Sequence, residues 1–111
     1  MTGLVAAEAK ALEDKANDAA RLLEALANPR RLMILCQLVE GERSVGDLAR
    51  TVGLKQAALS QHLARLRAQK LVTTRRVSQM IYYSLASEAA VAVIGTLVDI
   101  YCKPDGPPHA E

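Results

Sequence analysis

Two cysteines offer the clearest covalent chemistry in this sequence of 111 residues. Cys36 lies in "MILCQL" and Cys102 in "DIYC", so the pair does not form the CxxC spacing of a thioredoxin-like motif. Each thiol can be a small buried apolar residue that does no chemistry. As thiolates, the two can instead attack sulfur compounds or oxidants, or bind a metal. Spacing alone leaves these alternatives open.

A second group of candidate functional side chains lies in "QAALSQHLARLR". Leu59, Leu63 and Leu66 recur at helical spacing, so they predict a helix with one apolar stripe. The other faces carry small and hydrogen-bonding residues instead of the Glu and Lys of an ordinary surface helix. Gln bonds well to adenine edges and Ser can donate or accept, so this helix suits the DNA major groove. The candidate contacts are Lys55, Gln56, Ala57, Ser60, Gln61, His62 and Arg65.

Basic residues are segregated along the chain although the net charge is only +2. The segment between Leu48 and Ser87 contains no acidic residue. Such a segment is typical of a surface that binds a polyanion. The alternative is a solvated face that is balanced by acidic residues elsewhere in the fold. The seven basic residues of the segment are Arg50, Lys55, Arg65, Arg67, Lys70, Arg75 and Arg76.

The segment after the candidate helix predicts a β-hairpin. "MIYYSL" is rich in β-branched and aromatic residues, and the turn falls near Ser78 and Gln79. Arg75, Arg76 and Gln79 therefore lie on a hairpin that can touch the DNA backbone or minor groove, and phosphate contacts position a protein without reading sequence. His62 lies at the edge of the apolar stripe. It is either a boundary histidine bonded inside the fold or a phosphate contact.

Capping and turn residues place these candidates in a helix-turn-helix. Asn28 and Pro29 suit a helix start, Ser44 with Asp47 resembles a capping box, and Gly53 suits a helix end before a tight turn. A helix, a short turn with Gly and a second helix is helix-turn-helix spacing. The predicted order is a long helix over 4–27, helices over 28–41, 44–53 and 56–69, a hairpin of two strands, and a last helix over 87–102.

Size and composition are those of one mainly helical domain with a small β-hairpin. The chain has 50% apolar residues and no Trp or Phe, so its core must come from aliphatic side chains. No apolar run reaches the roughly 20 residues of a membrane span, and no signal-peptide core is visible, so we expect a cytoplasmic protein. We expect residues 1–102 to form a DNA-binding and dimerisation domain, and the Pro/Gly-rich residues 103–111 to form a flexible tail.

The sequence resembles the ArsR family of bacterial transcriptional repressors over nearly its whole length. The resemblance is carried by "LANPRRLMILCQL", "SVGDLARTVGL", "ALSQHLARLRAQKLV" and "RRVSQMIYYSL". It implies a winged helix-turn-helix that forms a homodimer through its first and last helices and binds an inverted repeat in double-stranded operator DNA. It also implies an inducer that lowers DNA affinity, and it implies neither an enzyme nor a cofactor.

The resemblance also bears on the cysteines. Metal-sensing members of the family carry a Cys-x-Cys-type site at the third helix, or Asp and His ligands along the last helix. Here Val45 and Gly46 stand where thiols would be needed, and the last helix has no His. Cys36 and Cys102 match the thiol- and persulfide-sensing branch, which implies reactive sulfur species or oxidants as inducers. The sequence leaves open which thiol attacks first: analogy with that branch favours Cys36, whereas Cys102 lies near the end of the last helix, where access is easier.

Three other functions remain open from the sequence. A metal-responsive repressor could use Cys36, Cys102 and His109, although scattered ligands suit a tetrahedral site poorly. A DNA-binding protein without an inducer is a second possibility. A thiol-dependent enzyme is a third, but no phosphate loop or nucleophile–base pattern supports it.

Overall fold

The winged helix-turn-helix predicted from the sequence is confirmed. The computed structural model describes residues 5–102, and this part of the chain holds six helices and three strands. In chain order they are α1 (Ala6–Asp14), α2 (Ala16–Leu26), α3 (Pro29–Val39), β1 (Arg43–Ser44), α4 (Val45–Val52), α5 (Gln56–Ala68), β2 (Val72–Val77), β3 (Met80–Leu85) and α6 (Glu88–Tyr101). The predicted tail, 103–111, lies outside the described residues.

The prediction of one continuous helix over 4–27 is wrong. The helix is interrupted at Lys15, whose ψ of 14° lies outside the helical range and whose N–H bonds the Leu12 carbonyl at 2.9 Å. Asp14 and Asn17 flank the break, and such residues prefer caps and turns to helix interiors. No residue of α1 is buried, so tertiary packing does not hold the two helices in line.

The junction between α2 and α3 is fixed by capping and by one buried arginine. The Asn28 side chain accepts hydrogen bonds from the backbone N–H groups of Arg30 and Arg31, at 2.9 and 3.1 Å. The Arg31 guanidinium turns back and donates to the carbonyl oxygens of Ala25 at 2.7 Å and Glu24 at 3.0 Å. These bonds tie the start of α3 to carbonyl oxygens in the last turn of α2, where helix carbonyls lack partners within the helix or share one.

The helix-turn-helix follows the sequence prediction closely. Ser44 caps α4 by accepting from the Asp47 N–H at 3.2 Å, and Gly53 ends it in the left-handed region with φ of 77°. Gly has no Cβ, so it adopts this conformation without strain. The turn then delivers the chain to α5, which buries its predicted apolar stripe of Leu59, Leu63 and Leu66.

The wing is the hairpin of β2 and β3. Val77 pairs with Met80 at the tip, where Ser78 has φ of 57°. The sequence missed the short strand β1, whose Arg43 and Ser44 pair with β3 and make a sheet of order β1-β3-β2. Strand β1 therefore fixes the wing to the start of α4.

The core combines aliphatic side chains from α2 to α6. Ile34, Leu35 and Leu38 form the buried face of α3, and Val39 at its end is exposed. Helix α6 starts at the predicted cap, where Ser87 accepts from the Ala90 N–H at 3.0 Å, and it contributes Ala90 and Ile94 to the core. Within residues 5–102, none of the helices has the length and apolar character needed to cross a membrane.

Candidate DNA-binding surface and dithiol pocket

The polar face of α5 is displayed to solvent because its opposite face is buried. The leucine stripe fixes the rotation of the helix against α3 and α4. This rotation leaves the predicted base-reading side chains outside the core. All of the predicted contacts at the start and along α5 are exposed except His62, which is half-buried: Lys55, Gln56, Ala57, Ser60, Gln61 and Arg65.

Two parts of the predicted DNA surface meet in one cleft. Gln56 and Ser60 from α5 and Gln79 from the wing line a concavity of about 370 Å³, with Met80 and Ile81 on its wing side. The cleft therefore lies between the helix suited to a major groove and the hairpin suited to the neighbouring backbone. A helix and a hairpin placed side by side in this way can contact a major groove and the adjacent phosphate backbone of one duplex.

Two of the predicted basic contacts are already engaged within the chain. Arg75 forms a bidentate pair with Glu42 through Nε at 2.9 Å and Nη2 at 2.7 Å, and its guanidinium lies 5.2 Å from the ring centroid of Tyr82. Hydrogen bonding from Arg75 lowers the pKa of the Glu42 carboxyl. Arg65 pairs with Glu24 of α2.

The acid-free segment is thus partly balanced by acids from elsewhere, as the alternative interpretation proposed. Arg50 also has such a partner, Asp47. Arg76 differs from Arg75 because its Nε donates only to the Ser78 carbonyl, at 3.3 Å. Among residues 5–102, the basic side chains of the segment that take part in no ion pair are Lys55, Arg67, Lys70 and Arg76.

The two cysteines line the same pocket, although they are distant in sequence. Cys36 lies on α3, and Cys102 caps the end of α6, with its N–H bonded to the Val98 carbonyl at 2.8 Å. Both are free thiols. The pocket has a volume of about 280 Å³, and its other lining residues are Leu32, Ile94, Leu97, Val98 and Tyr101.

The two thiols differ in their surroundings. Cys36 is half-buried and Cys102 is exposed. Burial raises the pKa of the Cys36 thiol, and the neighbouring Cys102 adds to the rise because two thiolates repel each other. The raised pKa leaves less Cys36 thiolate at neutral pH, and Cys102 is the more exposed thiol, so exposure favours Cys102 as the first nucleophile, in contrast to the expectation from the resemblance.

Cys36 and Cys102, two of the three ligands considered for a metal site, share this pocket, and the described part of the chain adds no third ligand there. Residues 5–102 contain no cluster of three or more His, Cys, Asp or Glu side chains that could hold an ion. His62 lies on α5, away from the pocket lining, and His109 lies outside the described residues.

Sequence reasoning found the two thiols and the polar helix face but missed what surrounds them. The ion pairs of Arg65 with Glu24 and of Arg75 with Glu42 were not predicted, because the partners in each pair lie far apart along the chain. The pocket itself arises from packing between α3 and α6. The apolar spacing on both helices was visible, but no sequence rule pairs two helices in space.

Comparisons with known proteins agree with the fold. Residues 28–74 match the family model described as bacterial regulatory protein, arsR family. The nodulation protein NolR of Rhizobium meliloti is 57% identical over 88 residues, which cover 79% of this chain and 72% of NolR.

Two solved structures show the same likeness. Reduced HlyU from Vibrio cholerae has a TM-score of 0.79 and 46% identity, over 85% of this chain and 99% of that chain. The transcriptional repressor BigR from Xylella fastidiosa has a TM-score of 0.81 and 42% identity, over 85% and 96%. HlyU of Vibrio cholerae is a transcriptional activator by name, and BigR is a transcriptional repressor. The chain therefore belongs to the arsR family of bacterial regulatory proteins, which are DNA-binding transcriptional regulators of winged helix-turn-helix fold.

Proposed function

We propose that the protein is a homodimeric repressor whose affinity for operator DNA is switched by sulfur chemistry at Cys36 and Cys102. The observation that carries this proposal is the shared pocket of the two thiols between α3 and α6. One thiol lies on the helix that packs against α4 and α5, and the other lies on the last helix. A bond between them ties the last helix to the DNA-reading unit.

In this proposal, α5 reads the major groove and the wing holds the backbone. Gln56, Ser60 and Gln61 near the start of α5 contact base edges, and Ala57 permits close approach. Arg76 and Lys55 contact phosphates, with Gln79 at the wing. Arg65 and Arg75 contribute less than their charge suggests, since Glu24 and Glu42 compete with phosphate for their guanidinium groups.

The proposed switch is a two-step thiol exchange. The Cys102 thiolate attacks a sulfur atom of a persulfide or polysulfide, and the sulfur chain that departs takes up a proton. Cys36 gives its proton to water and attacks in one of two ways. Attack at Cys102 Sγ expels the attached sulfur chain, which is protonated, and gives a direct disulfide; attack at the next sulfur of a chain of two or more atoms expels the remainder of that chain, which is protonated, and gives a trisulfide. A direct disulfide requires Cα atoms about 4.4–6.8 Å apart, whereas added sulfur spans a wider gap. The description of a solved HlyU structure as reduced supports a redox-dependent state in a relative.

The test compares operator binding before and after treatment with inorganic polysulfide. An operator is first selected from random duplexes by the thiol-free variant with Cys36→Ser and Cys102→Ser. We expect wild-type affinity to fall at least tenfold on treatment and both single serine variants to keep theirs. Intact mass should show increments of whole sulfur atoms on single chains, without covalent bonds between subunits.

Each other outcome has a clear meaning. If the variant without thiols loses DNA affinity to the same extent as wild type, the switch is wrong and a DNA-binding protein without this inducer remains. Stoichiometric zinc in protein purified at neutral pH would instead favour a metal-responsive repressor. Failure of the reduced wild type to bind any duplex at low salt contradicts the whole proposal.

A further inference from the structure

The pocket around the two thiols has almost no polar wall. Apart from the thiols, its lining comes from three aliphatic residues of α6, one leucine of α3 and the ring of Tyr101, and no lining residue is charged. Its volume of about 280 Å³ corresponds to roughly nine water molecules at their share of liquid volume. A short organic molecule therefore fits beside the thiols.

An apolar wall discriminates between reagents that carry the same reactive sulfur. A charged group loses its hydration on entering such a pocket and finds no opposite charge among the lining residues. An uncharged alkyl or allyl group instead gains favourable burial of apolar surface. Reaction at the thiols thus depends on the substituents of the sulfur donor as well as on its sulfur chain.

We propose that the pocket selects uncharged organic polysulfides with short apolar substituents over anionic sulfur donors. The inference rests on the proposed thiol switch and names the class of inducer that the switch takes. Exposure of Cys102 allows the reagent to approach from solvent, while its substituents contact the apolar lining that includes Leu32 and Leu97.

The reaction with an organic trisulfide, R–S–S–S–R, balances without an external oxidant. The Cys102 thiolate attacks the central sulfur, the bond to one outer sulfur breaks, and RS⁻ leaves and takes up a proton. The Cys36 thiol gives its proton to water and attacks the same central sulfur, and the second RS⁻ leaves and is protonated. One trisulfide and two protein thiols become one protein trisulfide and two molecules of RSH.

The test uses two trisulfides of similar length, dipropyl trisulfide and bis(2-carboxyethyl) trisulfide, with dithiothreitol as a reference for their intrinsic reactivity. Rates of thiol loss in the full-length protein are measured by intact mass at neutral pH and divided by the rates with dithiothreitol. We expect the uncharged reagent to be favoured at least tenfold. Equal normalised rates would overturn the inference.

A matched pair of variants on α6 locates the selection in the pocket. Leu97→Lys places a cation in the lining and should shift the preference toward the anionic trisulfide, whereas Ile100→Lys adds the same charge outside the lining and should leave it unchanged. Equal shifts in both variants overturn the inference, because selection then comes from general electrostatics.

Operator binding separates this inference from the proposed switch. If dipropyl trisulfide modifies both thiols selectively and DNA affinity does not change, the switch fails and the selectivity stands. If the anionic trisulfide releases DNA at the same normalised rate as dipropyl trisulfide, the switch stands and the selectivity fails.

Discussion

Among single residues, Gln61 gives the sharpest test of base reading. Its side chain is exposed on the face of α5 opposite the buried leucines, near the helix start. We expect Gln61→Ala to lower affinity for the selected operator by on the order of 1–3 kcal/mol, because a bidentate contact to a base edge is lost. Affinity for unrelated duplexes should hardly change. Equal losses on both kinds of duplex, measured by fluorescence anisotropy, contradict the assignment.

The neighbouring arginines Arg75 and Arg76 should behave differently, although the sequence gives them the same role. Arg76→Ala should weaken binding to all sequences alike and reduce the slope of log affinity against log salt by about 1, as expected for one lost phosphate contact. Arg75→Ala should change the slope less, because Glu42 and Tyr82 already hold that guanidinium. Titrations at several KCl concentrations measure both slopes, and identical slopes would show that the Glu42 pair opens on DNA.

The raised pKa of the Cys36 thiol should be visible in the pH dependence of its alkylation. Burial raises the pKa of Cys36, so its thiolate appears only at higher pH than for an ordinary thiol. We expect the alkylation rate of Cys36 by iodoacetamide, followed by peptide mapping, to rise with a midpoint above that of the same thiol in the unfolded chain. The Cys102→Ser variant should lower the Cys36 midpoint toward the ordinary value, since one of the two causes of the shift is removed. A Cys36 midpoint at or below the unfolded value contradicts the raised pKa.

At the level of elements, local sequence signals predicted those structures that depend on local chemistry. Asn28, Ser44 and Ser87 mark helix starts because their side chains satisfy unpaired N–H groups nearby. The break at Lys15 was not predicted because the helical spacing of apolar residues continues across it. Strand β1 was not predicted because its two residues form a strand only by pairing with β3, which lies some 40 positions later in the chain.

The turn between α4 and α5 gives a prediction for an element. Gly53 has φ of 77°, and a Cβ built there meets nothing within 4 Å, so only backbone strain opposes a side chain. We expect Gly53→Ala to lower the free energy of unfolding by about 1–2 kcal/mol. Gly53→Asn should lower it less, because Asn tolerates the left-handed region. Urea unfolding followed by circular dichroism measures both, and equal losses would assign the cost to something other than φ.

For the whole molecule, the exposed apolar side chains indicate how two copies associate. Leu23 of α2 is 56% exposed and Val91 of α6 is 43% exposed in a single copy. Soluble monomers rarely leave large contiguous apolar patches in water, and a two-fold dimer buries the same patch on both subunits. A dimer through the N-terminal helices and α6, as the sequence implied, would cover these side chains.

We therefore expect Leu23→Glu to shift the protein from dimer to monomer in sedimentation velocity, because each subunit would bury a carboxylate among apolar side chains of the interface. Val77→Glu is the matched control, since Val77 is 43% exposed on the wing and should leave the dimer intact. The monomeric variant should bind one half-site but lose the dependence on a second half-site placed about 34–36 Å away. If Leu23→Glu remains dimeric and still requires both half-sites, the subunits associate through a surface that does not include Leu23.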